Sequence, residues 1–174
     1  MTRASGYSLF ELMVVISLVA LGFVVAVPSY QSLVQKNRVN VAVNQLVSAL
    51  NYARQEAIIQ HKVVSLCASH DGQQCGGDWS EGMLLFTDTK ARGYYQAEDS
   101  KLHVYPALPV NTRLLWNRSE NLIQMSPTGY LLKSQNGTFT YCIGQTQPRA
   151  VRLIVVSLTG RVRVIAIADK KCSA

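Results

Sequence analysis

The chain has 174 residues, 48% of them apolar and only 16% charged, which suits a folded domain with a hydrophobic appendage and excludes a disordered polymer. Its length restricts the folded part to a single small domain of about 140 residues once the apolar N-terminal segment is set aside. The net charge of +7 is unevenly placed: residues 71–99 carry six acidic and two basic residues (net −4), whereas residues 149–174 carry six basic residues and Asp169 (net +5). The molecule therefore has a basic C-terminal end, which bears on its partners rather than on its fold.

The first thirty residues contain Arg3, Gly6-Tyr7, Glu11, and then a run without charge from Leu12 to Val27 that stops at Pro28. A carboxylate at a bilayer centre costs roughly 2.5–3.5 kcal/mol, so Glu11 needs a compensating partner. Cleavage after Gly6 would create one, the new α-amine of Tyr7. That amine can neutralise the Glu11 carboxylate of a neighbouring subunit in apolar surroundings, where opposite charges attract more strongly than in water. A filament subunit could leave a membrane in this way, by polymerising. An ordinary secretory signal offers only weak cleavage sites at Ala20-Leu21-Gly22 and Val25-Ala26-Val27 and does not account for Glu11. A plain signal anchor fits the length better. A buried core helix would need a large protein around it. Cleavage after Gly6 alone uses Gly6, Glu11 and Pro28 together.

Gly6-Tyr7-Ser8-Leu9-Phe10-Glu11-Leu12 resembles the class III leader and N-terminus of type IV prepilins and type II secretion pseudopilins, with Tyr7 where Phe is usual. The resemblance implies a leader at 1–6, removed by a prepilin peptidase, and N-methylation of the new terminus. It implies a transmembrane and filament-core helix at 7–33, through which other pilins are contacted. The expected location is the bacterial inner membrane, single-pass with a periplasmic domain, and the pilus after assembly. Arg3 would leave with the leader, lowering the net charge from +7 to +6.

Helical periodicity continues past Pro28. Val39, Val43, Leu46, Leu50, Ala53 and Ala57 recur at steps of four and three, while Asn40, Asn44, Gln45, Asn51, Arg54, Gln55 and Glu56 supply a solvated face. The spacing predicts one helix from about residue 8 to about residue 62, on the order of 80 Å long, with Gly22 and Pro28 allowing bends. The globular domain is expected over 34–174, with helix at 34–62 and β-structure over 63–174. A coiled coil would need more heptads, so the stripe is expected to pack on the chain's own sheet.

From residue 63 the period changes to two. Strands are expected at Val63–Cys67, Gly82–Phe86, Leu102–Tyr105, Arg113–Trp116 and Leu122–Met125. A turn at Pro127-Thr128-Gly129 leads into Tyr130-Leu131-Leu132, and an alternating strand follows over Gly137–Ile143. Last comes a hairpin, Arg152–Ser157 and Arg161–Ile167, about Leu158-Thr159-Gly160. One helix followed only by strands predicts an α+β fold, pilin-like, with the helix packed on an antiparallel sheet.

Cys67, Cys75, Cys142 and Cys172 lack the short spacing of a zinc site, and His61, His70 and His103 are scattered, so disulfides are expected and a metal is not. Three pairings are possible. Cys67–Cys75 would close a turn-rich segment, and Cys142–Cys172 would tie the C-terminal tail to a strand. Asp71, Asp78 and Asp88 do not have calcium-loop spacing. There is no HExxH, no phosphate loop and no nucleophile motif, so the chain reads as a non-enzyme without a cofactor.

In Gly160-Arg161-Val162-Arg163-Val164 the two arginines share one face of a strand, and with the valines inward both would project to solvent beside the turn. Lys170 and Lys171 follow on a tail that Cys172 would pin nearby. Guanidinium forks suit phosphate oxygens. The plainer reading is that basic residues keep an edge strand soluble. Residues 149–165, with Pro127-Thr128-Gly129 before them, resemble the C-terminal region of GspH/FimT-type minor pilins. Gly160 to Arg163 resembles the GRxR motif of FimT-type members, which are associated with DNA binding in natural transformation. The resemblance implies capture of double-stranded DNA through Gly160, Arg161, Arg163, Lys170 and Lys171. The alternative is a structural minor pilin or pseudopilin that initiates or caps a type IV pilus or type II secretion pseudopilus.

Overall fold

A computed structural model describes residues 9–144 and 149–172, with the side chains of Val24, Val25, Pro28, Ser32, Ala150, Ala168, Asp169 and Lys170 outside the description. Gly6 and Tyr7 lie outside the described residues. The chain divides into two units, residues 1–40 and 41–174. Helix α1 (Leu9–Gln60) contributes to both.

In the first unit α1 carries Glu11 in its first turn, and Ser17 Oγ donates to the carbonyl of Met13 at 2.8 Å. Its large apolar side chains are exposed, Leu9, Phe10 and Leu21 among them. Among the described residues no helix is long and apolar enough to cross a membrane. The expected span over 7–33 includes positions outside the description.

In the second unit the expected stripe is buried: Val43, Leu46, Leu50, Ala53 and Ala57, widened by Ala42 and Ala49. The helix stops at Gln60, two residues short of the expected end, because His61 takes a left-handed φ of 52°.

The β-structure forms two antiparallel four-stranded sheets where a single sheet was expected. In the first, β3 (Ser100–Tyr105), β2 (Met83–Thr87), β1 (Val64–Ala68) and β5 (Leu122–Met125) lie in that order. Leu66 is in register with both Leu85 and Ile123, and all three are fully buried. The opposite face buries Cys67, Leu84 and Phe86 under Cys75, Tyr95 and Leu122. Burial on both faces explains why β1 and β2 read as continuous apolar runs without alternation. Each such Leu or Phe contributes about 1.5–3 kcal/mol on leaving water.

In the second sheet the order is β4 (Thr112–Trp116), β6 (Gly137–Ile143), β7 (Arg149–Val156), β8 (Val162–Lys171). Leu114, Trp116, Phe139, Tyr141, Ile154 and Val156 are buried. Phe139 is the centre of an aromatic cluster, edge-on to Trp79 at 5.0 Å and tilted against Trp116 at 4.2 Å.

Both expected disulfides are present. Cys67–Cys75 and Cys142–Cys172 have Cα–Cα distances of 5.6 and 6.0 Å. The loop that the first one closes is ordered by Asp71, whose carboxylate accepts the amides of Gln73 and Gln74 at 2.8 and 3.0 Å. Those bonds hold its pKa below the ordinary aspartate value.

The chain departs from the expected pattern at two further places. Leu131 makes only a single bridge to Met125, and residues 132–134 form a 3-10 turn in which Lys133 and Ser134 take φ of 50° and 53°. That conformation cannot continue a strand. The last strand runs on to Lys171, four residues past the expected Ile167, because its far end pairs with Arg149 and Ala150 of β7.

Candidate nucleic-acid interface

The β7–β8 hairpin turns through Ser157-Leu158-Thr159-Gly160-Arg161. The Gly160 amide donates to the Ser157 carbonyl at 2.9 Å, and the Ser157 amide donates to the Arg161 carbonyl at 3.0 Å. Gly160, at φ 71°, supplies the left-handed residue that this tight turn requires. Ser157 Oγ completes it by accepting the Arg161 amide at 3.2 Å and bonding Thr159 Oγ1 at 2.9 Å.

The same construction occurs once more. In Ser126-Pro127-Thr128-Gly129-Tyr130 the Gly129 amide donates to the Ser126 carbonyl at 2.8 Å, and the Ser126 amide donates to the Tyr130 carbonyl at 2.8 Å. Ser126 Oγ accepts the Tyr130 amide at 3.2 Å and bonds Thr128 Oγ1 at 2.8 Å. The two turns are packed together. The Leu131 amide donates to the Leu158 carbonyl at 2.9 Å, and a Cβ on Gly160 would stand 2.4 Å from the Gly129 carbonyl oxygen. Arg54, on α1, inserts here. Its Nε donates to the Gly129 carbonyl at 3.1 Å, and its Cδ and Nε lie 3.2 Å from where a Gly160 Cβ would be. Glycine at both positions makes the slot for this side chain.

The hairpin tip is therefore fixed to the body of the domain, and it presents Arg161 and Arg163, both exposed. Arg163 pairs with Val155 and Val162 with Val156 in register. The valines are less inward than expected. Val162 is only partly buried and Val164 is 43% exposed, because β8 is an edge strand with a neighbour on one side only. Lys171 pairs with Arg149 at the far end of the same strand, eight residues from Arg163, roughly 26 Å at 3.3 Å per residue. Lys170 pairs with Ala150 there, its side chain outside the described residues. The structure thus brings Gly160, Arg161 and Arg163 together and places Lys170 and Lys171 apart from them. The disulfide pins the tail to β6 at Cys142, away from the turn.

From the sequence Arg54 belongs to the solvated helix face; the structure places it between the turns. The signal was the repeated Ser-x-Thr-Gly at 126–129 and 157–160. The cysteines all lie in disulfides. Among the described residues no cluster of three or more His, Cys, Asp or Glu could hold a metal ion. Asp88, the most heavily bonded buried carboxylate, is spent on structure: it accepts Ser65 Oγ, Gln124 Nε2 and the amides of Arg92 and Gly93.

Residues 42–160 match the family described as Type II transport protein GspH. The chain belongs to this family. A fimbrial protein of Pseudomonas aeruginosa is 31% identical over 101 residues, covering 58% of this chain and 64% of the relative, so the match spans less than two thirds of the relative's length. The crystal structure of the type IV minor pilin FimU from P. aeruginosa superposes with a TM-score of 0.64 at 20% identity, covering 80% of this chain and 98% of that one. A second crystal form of FimU gives 0.58 at 22% identity, covering 77% and 99%. At such identities the likeness is one of fold: a helix on antiparallel sheets, pilin-like, α+β. The GspH match ends at Gly160, so Arg161 and all of β8, Arg163 included, lie beyond it.

Proposed function

We propose that this GspH-family chain is a minor type IV pilin that binds extracellular double-stranded DNA without sequence preference during natural transformation. The observation that carries the reading is the pair of exposed guanidinium groups, Arg161 and Arg163, on a hairpin tip clamped to the domain. A preorganised basic tip loses little freedom on meeting phosphates. Gly160 serves the site by shaping the turn. Lys170 and Lys171, at the other end of β8, would extend contact along a duplex, whose phosphates continue for as long as the strand does.

The N-terminal segment completes the proposal. A prepilin peptidase cuts after Gly6, the amine of Tyr7 meets the Glu11 carboxylate of an adjacent pilin, and residues 7–33 hold the subunit in the inner membrane before assembly and in the pilus after it. The exposed apolar side chains of the first unit suit such packing against other pilins. A structural role as an initiating or capping subunit is the second reading. It is favoured by the fold shared with FimU and by the position of both arginines beyond the family match.

Electrophoretic mobility shifts with the full chain in detergent micelles separate the two. The parent should bind duplex DNA with a dissociation constant of about 10⁻⁴–10⁻⁶ M at physiological salt. Arg161→Gln with Arg163→Gln should weaken binding while circular dichroism stays unchanged, because both side chains are exposed. A folded double variant that binds like the parent would move the site elsewhere. No binding by the parent at high micromolar protein would favour the structural subunit.

A further inference from the structure

The two Ser-x-Thr-Gly turns do more than shape the hairpin tip. Gly129 and Gly160 together leave room for the stem of one side chain from another element, and that side chain is a cation. Arg54 is partly buried, and its Nε bond to the Gly129 carbonyl is the one side-chain hydrogen bond it makes among the described residues. A guanidinium carries five N–H donors. One is committed to the Gly129 carbonyl, and the four on the terminal nitrogens have no hydrogen-bond partner among the described residues and so remain for an acceptor. Arg161 follows directly on Gly160, whose would-be Cβ lies 3.2 Å from Arg54 Cδ. The base of Arg54's guanidinium and the root of Arg161 are thus neighbours across one turn.

We propose that Arg54 is a third phosphate-binding residue of the hairpin site, so that a DNA phosphodiester is held jointly by α1 and the β7–β8 tip. The proposal rests on the DNA-binding reading above and adds to it a residue of the family-matched region, on a different element and at a position fixed by two glycines. A purely structural Arg54 would need only its Nε and its methylene stem. A phosphate contact needs the charge. Each phosphate neutralised steepens the fall of log affinity with log salt by about 0.9, so one contact amounts to about fivefold in affinity when the relation is run from 1 M to 0.15 M salt.

The test is fluorescence anisotropy of a labelled duplex with the full chain in detergent micelles, titrated at several salt concentrations. Arg54→Met keeps an unbranched stem between the glycines and removes the charge, whereas Arg54→Lys keeps the charge and loses the Nε donor. The expected result is about fivefold weaker binding for Arg54→Met, with the salt slope shallower by about 0.9, and a retained slope for Arg54→Lys. If Arg54→Met lowers the melting temperature but keeps the parent's slope, Arg54 is a clamp and the proposal is overturned, while Arg161 and Arg163 stand. A slope equally flattened in Arg54→Lys would also overturn it. Absence of salt-dependent binding by the parent itself would remove the hairpin reading and this one together. A second measurement avoids variants. Duplex DNA should protect Arg54, as well as Arg161, from phenylglyoxal in peptide mass mapping, and an unprotected Arg54 beside a protected Arg161 would be decisive against the proposal.

Discussion

Gly160→Ala is a small substitution that should be felt strongly. The residue sits at φ 71°, where a Cβ costs roughly 1–2 kcal/mol. The methyl would also stand 2.4 Å from the Gly129 carbonyl oxygen, a backbone atom already engaged by Arg54, and overpacking of this kind costs about 1–3 kcal/mol. The two together give about 2–5 kcal/mol. At about 2–4 °C per kcal/mol for a chain of this length, melting should fall by about 4–20 °C. Gly129→Ala is the internal control. It has a similar φ of 78°, but its Cβ would meet side-chain atoms, Ile58 Cδ1 at 2.9 Å and Arg54 Nε at 3.0 Å, and Ile58 can move aside. Its loss should be the smaller. Thermal unfolding followed by circular dichroism, with disulfides intact, measures both. A Gly160→Ala variant that melts with the parent, or that is more stable than Gly129→Ala, would refute the clamped-tip argument.

Replacing each disulfide pair by alanines should destabilise unequally. Cys142–Cys172 closes 30 residues and Cys67–Cys75 only 8, so the chain-entropy relation makes the longer loop worth about 1 kcal/mol more, read from denaturant midpoints. Equal losses would indicate that core packing of Cys67 and Cys142, both fully buried, outweighs loop closure. Gly6→Val should leave the leader attached, and N-terminal sequencing that still found Tyr7 first would end the processing proposal. Glu11→Ala should leave the protein in membrane fractions and deplete it from sheared pili, while normal incorporation would count against charge pairing between subunits.

Much of the architecture was legible because it rests on local pattern. The stripe from Val43 to Ala57 has a period only a helix can bury on one side, and Gly137–Ile143 and Leu122–Met125 were bounded by turn residues at both ends. Partition into two sheets was not legible. Which strands pair is decided by contacts such as Leu66 with Ile123, 57 positions apart, and nothing local in either segment names the other. Leu131-Leu132 is apolar like a strand, yet left-handed backbone at Lys133 and Ser134 ends it, a conformation those residue types do not announce. For the candidate site, Arg161 and Arg163 are exposed as expected, although residues 163–166 are all exposed and the expected alternation is absent. A tail folded back at Cys172 would bring Lys170 and Lys171 beside the turn, whereas pairing with Arg149 and Ala150 keeps it extended. Arg54 was hidden because a charged residue on a helix face looks solvated until the glycines that receive it, 75 and 106 residues away, are seen in space.

Whether the hairpin tip holds DNA by its phosphates is read from the salt dependence of duplex binding. Arg161 and Arg163 reaching one or two phosphates each give a log–log slope of roughly −1.8 to −3.6 for the parent, steeper if Arg54 takes part. The Arg161→Gln, Arg163→Gln variant should lose most of that slope while keeping the parent's circular dichroism. A parent whose affinity does not change with salt, or a folded double variant whose slope matches the parent's, would contradict the account.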